Sequence, residues 1–135
     1  MAVFALTDCT VSVNSVDLSS YAVSLEVSNT KEQVDVTAMG STGRKYIGSI
    51  GNQSWTFTFN QDFASTKTYA TLSGLVGTPT TVVVKPTSGA VSATNPSFTL
   101  TDTCLESLPL LSGSVADLAQ TSLTFNGGTY AAATA

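Results

Sequence analysis

The chain has 135 residues, of which 42% are hydrophobic and only 10% are charged, with five Lys and Arg against nine Asp and Glu and no His. The net charge of −4 argues against an electrostatic grip on nucleic acid, because phosphate binding needs clustered basic residues. The length suits one domain over residues 1–135 with a sizeable core. A surface poor in charge suits a subunit covered by neighbours, although neutral, Thr-rich surfaces are also ordinary in secreted β-proteins.

The N-terminal third alternates between apolar and polar residues, which is typical of half-buried strands. Residues 10–13 and 16–18 are predicted to form a short hairpin. Residues 21–29 form the next predicted strand, and residues 32–37 are expected to pair with it in antiparallel fashion because the connection is short.

Two alternating segments supply the predicted core. Val34 and Val36 share one face of their strand, and Trp55, Phe57 and Phe59 share one face of residues 54–60. The three aromatic residues could also form a base-stacking or sugar-binding platform. A core position is favoured, because the interior of a sheet protein needs large side chains on one face.

The most informative part of the chain is the stretch over residues 34–62, in which two alternating segments flank a connection over residues 38–51. This connection contains four glycines, and it is too long and too apolar for a plain hairpin turn. A long connection with aromatic, aliphatic and basic groups is typical of a binding loop. Its candidate contact residues are Met39, Arg44, Lys45, Tyr46, Ile47 and Ile50.

The C-terminal half predicts one helix among strands. Residues 65–76 carry an apolar stripe that includes Leu72, with Gly77 and Pro79 as a stop signal. Strands are predicted over residues 80–85, 97–104 and 114–125. The fold class is therefore mainly β: an antiparallel β-sandwich or flattened barrel of seven or eight strands, with one flanking α-helix and a long inter-strand loop.

Catalytic signals are missing from the sequence. Without His there is no Ser-His or Cys-His pair, and two cysteines alone make no zinc site. Cys9 and Cys104 are expected to be free thiols rather than a disulfide, because nothing else indicates an oxidising compartment. Glu32 and Asp35 are expected to be solvated surface charges rather than a catalytic dyad. We expect no enzyme, no cofactor and no metal.

Targeting signals are missing as well. The N-terminal residues have no basic n-region, and no apolar run approaches the roughly 20 residues of a membrane span. The expectation is a protein folded in a cytoplasm, without membrane contact.

The order of these parts resembles a tail tube protein of bacteriophages with long, non-contractile tails. The resemblance rests on the segment VTAMGSTGRKYIGSIGNQSWTFTFNQD, followed by a short helix and by TTVVVKPTSGAVSATNPSF. It implies a virion tail protein, assembled in the host bacterial cytoplasm, that stacks as hexameric rings into a hollow tube. DNA would pass through that tube without specific binding, and a tape-measure protein and a tail-terminator protein would be partners.

The resemblance also implies roles for individual residues. The loop over residues 38–51 matches in position the family's loop that reaches the adjacent ring. For the channel lining of such a tube, the candidates are Glu26, Glu32 and Asp35, because they lie on adjoining predicted strands whose opposite faces carry Val and Leu, although Glu32 could belong to a turn instead. A capsid decoration protein, another tail or head-tail component and a secreted adhesive sandwich remain alternatives.

Overall fold

The computed structural model describes residues 8–63, 68–111 and 113–134. Within those ranges, the chain forms ten strands, one short α-helix and one turn of 3-10 helix over Ser19–Tyr21. The elements in chain order are β1 (Thr10–Val13), β2 (Val16–Asp17), β3 (Ala22–Glu26), β4 (Lys31–Asp35), β5 (Tyr46–Gly51), β6 (Ser54–Asn60), α1 (Thr68–Leu72), β7 (Pro79–Lys85), β8 (Ser97–Leu105), β9 (Gln120–Asn126) and β10 (Thr129–Ala133). The named strands pair only in antiparallel fashion, so the mainly β, antiparallel fold class with one helix is confirmed.

The main sheet turns a corner at β8. Its strands follow the order β2-β1-β7-β8-β9-β6-β3, and β10 also pairs with β8. The first part of β8 pairs with β10, whereas Cys104 and Leu105 pair with β9. Between these parts Asp102 has a positive φ of 59°. Gly128 lies against this corner with a φ of 95°, and a Cβ there would come 2.6 Å from the Thr101 carbonyl oxygen, so only glycine fits.

The two halves of the folded sheet enclose one apolar core. Val11 and Val82 enter it from one half, and Phe57 enters it from the other. The Phe57 ring stacks on Phe59 with centroids 5.7 Å apart and meets Phe125 edge-on at 5.8 Å. Trp55, Phe57, Phe59 and Leu72 are all fully buried. The aromatic strand β6 is therefore internal, and its apolar face is not an open platform.

Three sequence-based boundaries differ from the structure. The helix is seen over Thr68–Leu72, while residues 65–67 of the predicted helix lie outside the described residues. The last long strand begins at Gln120 rather than at residue 114, because residues 114–117 form a turn in which the Asp117 amide donates to the Ser114 carbonyl. The segment over residues 46–51 is a strand, not part of a loop.

The predicted pairing of residues 21–29 with residues 32–37 is wrong. β3 pairs with β6, whereas β4 pairs with β5 in a separate two-stranded sheet. Ser28 accepts a hydrogen bond from the Trp55 indole, and Thr30 is bonded to Gln53. The chain between β3 and β4 is therefore held along β6 and does not turn back on β3.

Candidate functional site

The β4–β5 hairpin is the least covered part of the described chain. Every residue from 28 to 52 is exposed. The register pairs Val34 with Ile47 and Asp35 with Tyr46, and the Val36 amide continues the ladder by donating to the Lys45 carbonyl at 2.9 Å. An isolated two-stranded hairpin is marginally stable in water, and both of its outer edges carry unpaired backbone groups. Such a ribbon is typical of a segment that another surface covers.

The hairpin has one apolar face and one polar face. Val34 and Val36 alternate with Asp35, and Ile47 lies opposite Val34, so these three apolar side chains share a face. They are 46%, 44% and 54% exposed. The expectation that Val34 and Val36 belong to the core is therefore wrong. The alternation does mark an apolar face, but no part of the described chain packs against it.

A buried amide fixes the hairpin to the main sheet. Gln53 is 3% exposed and accepts a hydrogen bond from the Thr30 amide at 3.0 Å. Its Nε2 donates to the Thr30 carbonyl at 3.1 Å and to the Asn29 side chain at 3.3 Å. The backbone carbonyl of Gln53 in turn accepts a hydrogen bond from the Gly127 amide, in the turn between β9 and β10. The hairpin thus leaves the body at a defined point.

A polar network closes the hairpin beyond β4. The Arg44 guanidinium lies 2.9 Å from Oδ2 of Asp35, and the Thr37 amide donates to Oδ1. The Lys45 amide donates to the Thr37 hydroxyl at 2.9 Å. The hydrogen bonds from Thr37 are the main cause that lowers the pKa of Asp35, and the bond from Arg44 lowers this pKa further. The carboxylate therefore stays ionised at neutral pH and orders this end of the hairpin.

The predicted contact residues all lie on this one hairpin. Met39 is 103% exposed and Ile50 is 76% exposed, and Tyr46 is exposed beside Ile47. Arg44 and Lys45 are exposed as well. Arg44 is committed to Asp35, whereas no described carboxylate lies within salt-bridge distance of the Lys45 ammonium.

The candidate acidic residues do not form one cluster on adjoining strands. Glu26 ends β3 in the main sheet, while Glu32 and Asp35 lie on β4 in the separate hairpin. Asp35 is moreover paired with Arg44. Glu26 is separated from the other two carboxylates because β3 pairs with β6 in the main sheet, whereas β4 pairs with β5 in the hairpin.

A hydroxyl-rich face covers the outside of β3, β6 and β9, and sequence reasoning gave this face no role. Thr56 and Thr58 point away from the core and contact Thr124 and Ser122, with oxygen–oxygen distances of 3.4 and 2.8 Å. Glu26 pairs with Thr56 in the same register and is the one charged residue of these three strands. The alternation of Thr with aromatic residues in β6 was the signal for this face.

A second missed feature is a depression beside α1. Phe63 and Tyr69 meet there with ring centroids 5.2 Å apart, and Leu110 lines the other side. Phe63 is 56% exposed and Leu110 is 62% exposed. The LPLL segment over residues 108–111 signalled an apolar stretch, but its position next to Phe63 depends on the fold.

The described residues contain no group of three or more metal-ligating side chains, and none of their helices is long and apolar enough to span a membrane. Cys9 and Cys104 are free thiols. Burial raises the pKa of Cys9.

Comparison with known proteins shows the fold. Neither a protein-family model nor a curated protein matches the chain. A chain in the PVC sheath/tube terminator of an extracellular contractile injection system superposes with a TM-score of 0.72 at 11% identity, over 97% of this chain and 96% of that one. A chain in the PVC sheath-tube complex gives 0.71 at 9% identity, over 98% and 93%.

A chain of the virion of a native gene transfer agent particle gives a TM-score of 0.72 at 17% identity, over 93% of this chain and 95% of that one. The sequence resemblance was to non-contractile tails, whereas the injection-system structures are contractile. The fold therefore does not assign the chain to the non-contractile class. It is the fold of chains found in tail-like tubes and particles.

Proposed function

We propose that this chain is the tube-forming subunit of a phage-like tail, with residues 1–135 acting as one structural domain. It self-associates into hexameric rings, and the rings stack around a channel through which DNA passes on ejection. The full-length fold shared with chains of a sheath-tube complex and of a gene transfer agent virion supports this proposal. The C6 symmetry applied to the tail of a gene transfer agent particle motivates six subunits per ring.

The uncovered apolar face of the β4–β5 hairpin carries the proposal. Val34, Val36 and Ile47 are exposed together on the hairpin, so any surface that buries them lowers the free energy of the protein. In a homo-oligomer that surface is supplied by another copy. Burial in the assembly also accounts for a ribbon that is marginally stable on its own.

We assign the contact between rings to the hairpin. The ladder over residues 31–36 spans roughly 20 Å at about 3.3 Å per residue, so the hairpin offers a long surface to a neighbouring subunit. Tyr46 and Ile47 are the apolar anchors, and Arg44 and Lys45 are the basic contacts. Met39 and Ile50 extend the contact at the two ends of the hairpin.

We assign the channel surface to the hydroxyl-rich face of β3, β6 and β9. A conduit must not hold DNA, and a face of Ser, Thr and amide side chains without Lys or Arg offers phosphates no cation. Glu26 adds one carboxylate per subunit, which repeats around and along a tube and repels DNA within a Debye length of about 8 to 10 Å. Glu32 and Asp35 belong to the hairpin and would contribute only if it also lined the channel.

The assembled tube is proposed to lie in the virion tail and to form in the bacterial cytoplasm. A tape-measure protein would fill the channel before ejection, and a terminator would end the tube. No catalytic step and no cofactor are part of this function.

Electron microscopy of the purified protein over a concentration series tests the function. Rings with a central hole that stack as the concentration rises are expected. Monomers at every concentration would contradict the proposal. Compact trimers without a hole would favour a decoration protein instead.

A further inference from the structure

A cavity walled by aromatic rings opens beside the core, between β6 and β10. Trp55, Phe98 and Tyr130 line this aromatic cavity, and its volume is about 110 Å³. The Tyr130 ring meets Trp55 edge-on with centroids 6.4 Å apart and stacks on Phe98 at 6.3 Å. Phe98 and Tyr130 are only partly buried, as is Val27 in the same lining. The described chain therefore leaves this part of the core incompletely covered.

The chemistry of the lining suits one apolar side chain. The Trp55 indole already donates to the Ser28 carbonyl at 2.9 Å, and Oδ1 of Asn29 already accepts a hydrogen bond from Gln53. These polar atoms of the wall therefore have partners, and the rest of the lining is three rings and Val27. An apolar cavity of about 150 Å³ holds a benzene-sized molecule. At about 110 Å³ and open to solvent, the aromatic cavity has room for a single ring and not for several side chains.

The first described residues enter the fold close to this cavity. The strand register places Val11, Val84, Phe98 and Ala132 side by side across β1, β7, β8 and β10. Neighbouring strands lie about 4.8 Å apart, so Val11 is roughly 10 Å from Phe98. Cys9 precedes Val11 on the same inward face and packs against the core. Two residues add about 7 Å along the strand, which puts Cys9 roughly 12 Å from Phe98.

We propose that the segment over residues 2–6 of the same chain covers this part of the core and inserts Phe4 into the aromatic cavity. Residues 1–7 lie outside the described residues. Residues 2–6 read AVFAL and are all apolar, a composition that favours burial. The segment leaves from a fixed point, because the chain bends at Asp8 and the Asp8 carboxylate accepts a hydrogen bond from the Ser88 hydroxyl at 2.6 Å. The contact is internal to one chain, so it does not depend on assembly.

Reach and chemistry select Phe4 within the segment. Five residues of extended chain separate Phe4 from Cys9 and span about 16 Å, which covers the distance to Phe98. Leu6 is only three residues from Cys9, and the corresponding span of about 10 Å falls short. A phenyl ring also makes edge-on or offset contacts with the rings of Trp55 and Tyr130, which an aliphatic side chain does not.

Disulfide trapping within one chain tests the insertion. In a background with Cys9→Ala and Cys104→Ala, Phe4→Cys is combined with Val27→Cys, and dilute protein is oxidised mildly. We expect mass spectrometry to find a monomer two hydrogens lighter than the reduced protein. The matched control combines Phe4→Cys with Ala131→Cys, an exposed position next to Tyr130 on the opposite face of β10, and should stay reduced. Cross-linked multimers without an internal bond would overturn the assignment to the same chain, and a protein that stays reduced would overturn the insertion.

Fluorescence gives a second measurement, because Trp55 is the only tryptophan of the chain and lines the cavity. Phe4→Ser should admit water, shift the Trp55 emission maximum to the red and increase quenching by acrylamide, while the circular dichroism of the sheet is unchanged. Phe4→Leu keeps an apolar side chain and should remain close to the parent. Val3→Ser is the control, because adjacent residues of an extended segment point to opposite faces. Parent-like emission from Phe4→Ser, or an equal shift from Val3→Ser, would overturn the insertion of Phe4.

Discussion

Replacing the apolar face of the hairpin should separate assembly from folding. The variant carries Val34→Thr, Val36→Thr and Ile47→Thr, which keep a β-branched shape and strand propensity at each position. All three side chains are exposed in the single chain, so the free energy of unfolding of the monomer should change by less than about 1 kcal/mol.

The expected loss of assembly follows from the exposed fractions. About half of each side chain is still open to water, at 46% for Val34, 44% for Val36 and 54% for Ile47. Full burial of such a side chain contributes about 1.5 to 3 kcal/mol, so the remaining half contributes about 1 kcal/mol. The three together contribute about 3 kcal/mol per contact, which is roughly a hundredfold in the association constant.

Sedimentation velocity over a concentration series measures the association, and thermal melting at low concentration measures the fold. The control, Val76→Thr with Val115→Thr, repeats the two valine substitutions at exposed valines away from the hairpin and should assemble like the parent. A triple variant that assembles at the parent concentration would refute the reasoning that this face is an interface.

Three further perturbations test the fold and the anchoring of the hairpin. Phe57→Ala removes a fully buried ring and should cost about 3 to 5 kcal/mol, seen as a melting temperature lower by about 10 to 15 °C; a drop of only a few degrees would contradict its place in the core. Gln53→Ala removes the acceptor of the Thr30 amide, whereas the Thr30 carbonyl keeps its bond from the Asn52 amide, so amide exchange at Thr30 should accelerate while the main sheet stays protected; unchanged exchange would exclude the anchoring role. The Asp35 carboxyl should titrate below its ordinary 3.8 in an NMR titration, because its folded pKa is lowered. The ionised Asp35 carboxylate therefore orders the hairpin above about pH 4, and this ordering is lost as the pH falls through the lowered pKa. A titration midpoint at or above 3.8 would contradict the hydrogen bonds from Thr37.

Alternation predicted much of the main sheet. The face shared by Trp55, Phe57 and Phe59 follows directly from period-two spacing, and burial agrees with it. The same rule misplaced Val34 and Val36, because alternation identifies an apolar face but not the molecule that covers it. In the proposed assembly, the Val34 and Val36 side chains belong to the interface between copies and not to the core of one chain.

Strand pairing was harder to predict than strand positions. Short connections favour hairpins, which predicted the β1–β2 pair correctly and the β3–β4 pair wrongly. The decisive interactions were the bonds of Gln53 to Thr30 and of the Trp55 indole to Ser28, which link residues more than twenty positions apart. No local pattern carries such long-range contacts. The depression between Phe63 and Leu110 escaped prediction for the same reason.

Hydrogen–deuterium exchange of residues 31–51 tests most directly whether the hairpin is covered by another copy. Exchange is compared between dilute and concentrated samples of the purified protein. The account predicts fast exchange in the dilute monomer, because these residues are all exposed, and protection by a factor of ten or more on assembly, while the core strand β6 is protected in both samples. Rings or tubes in which the hairpin exchanges as fast as in the monomer would contradict the account.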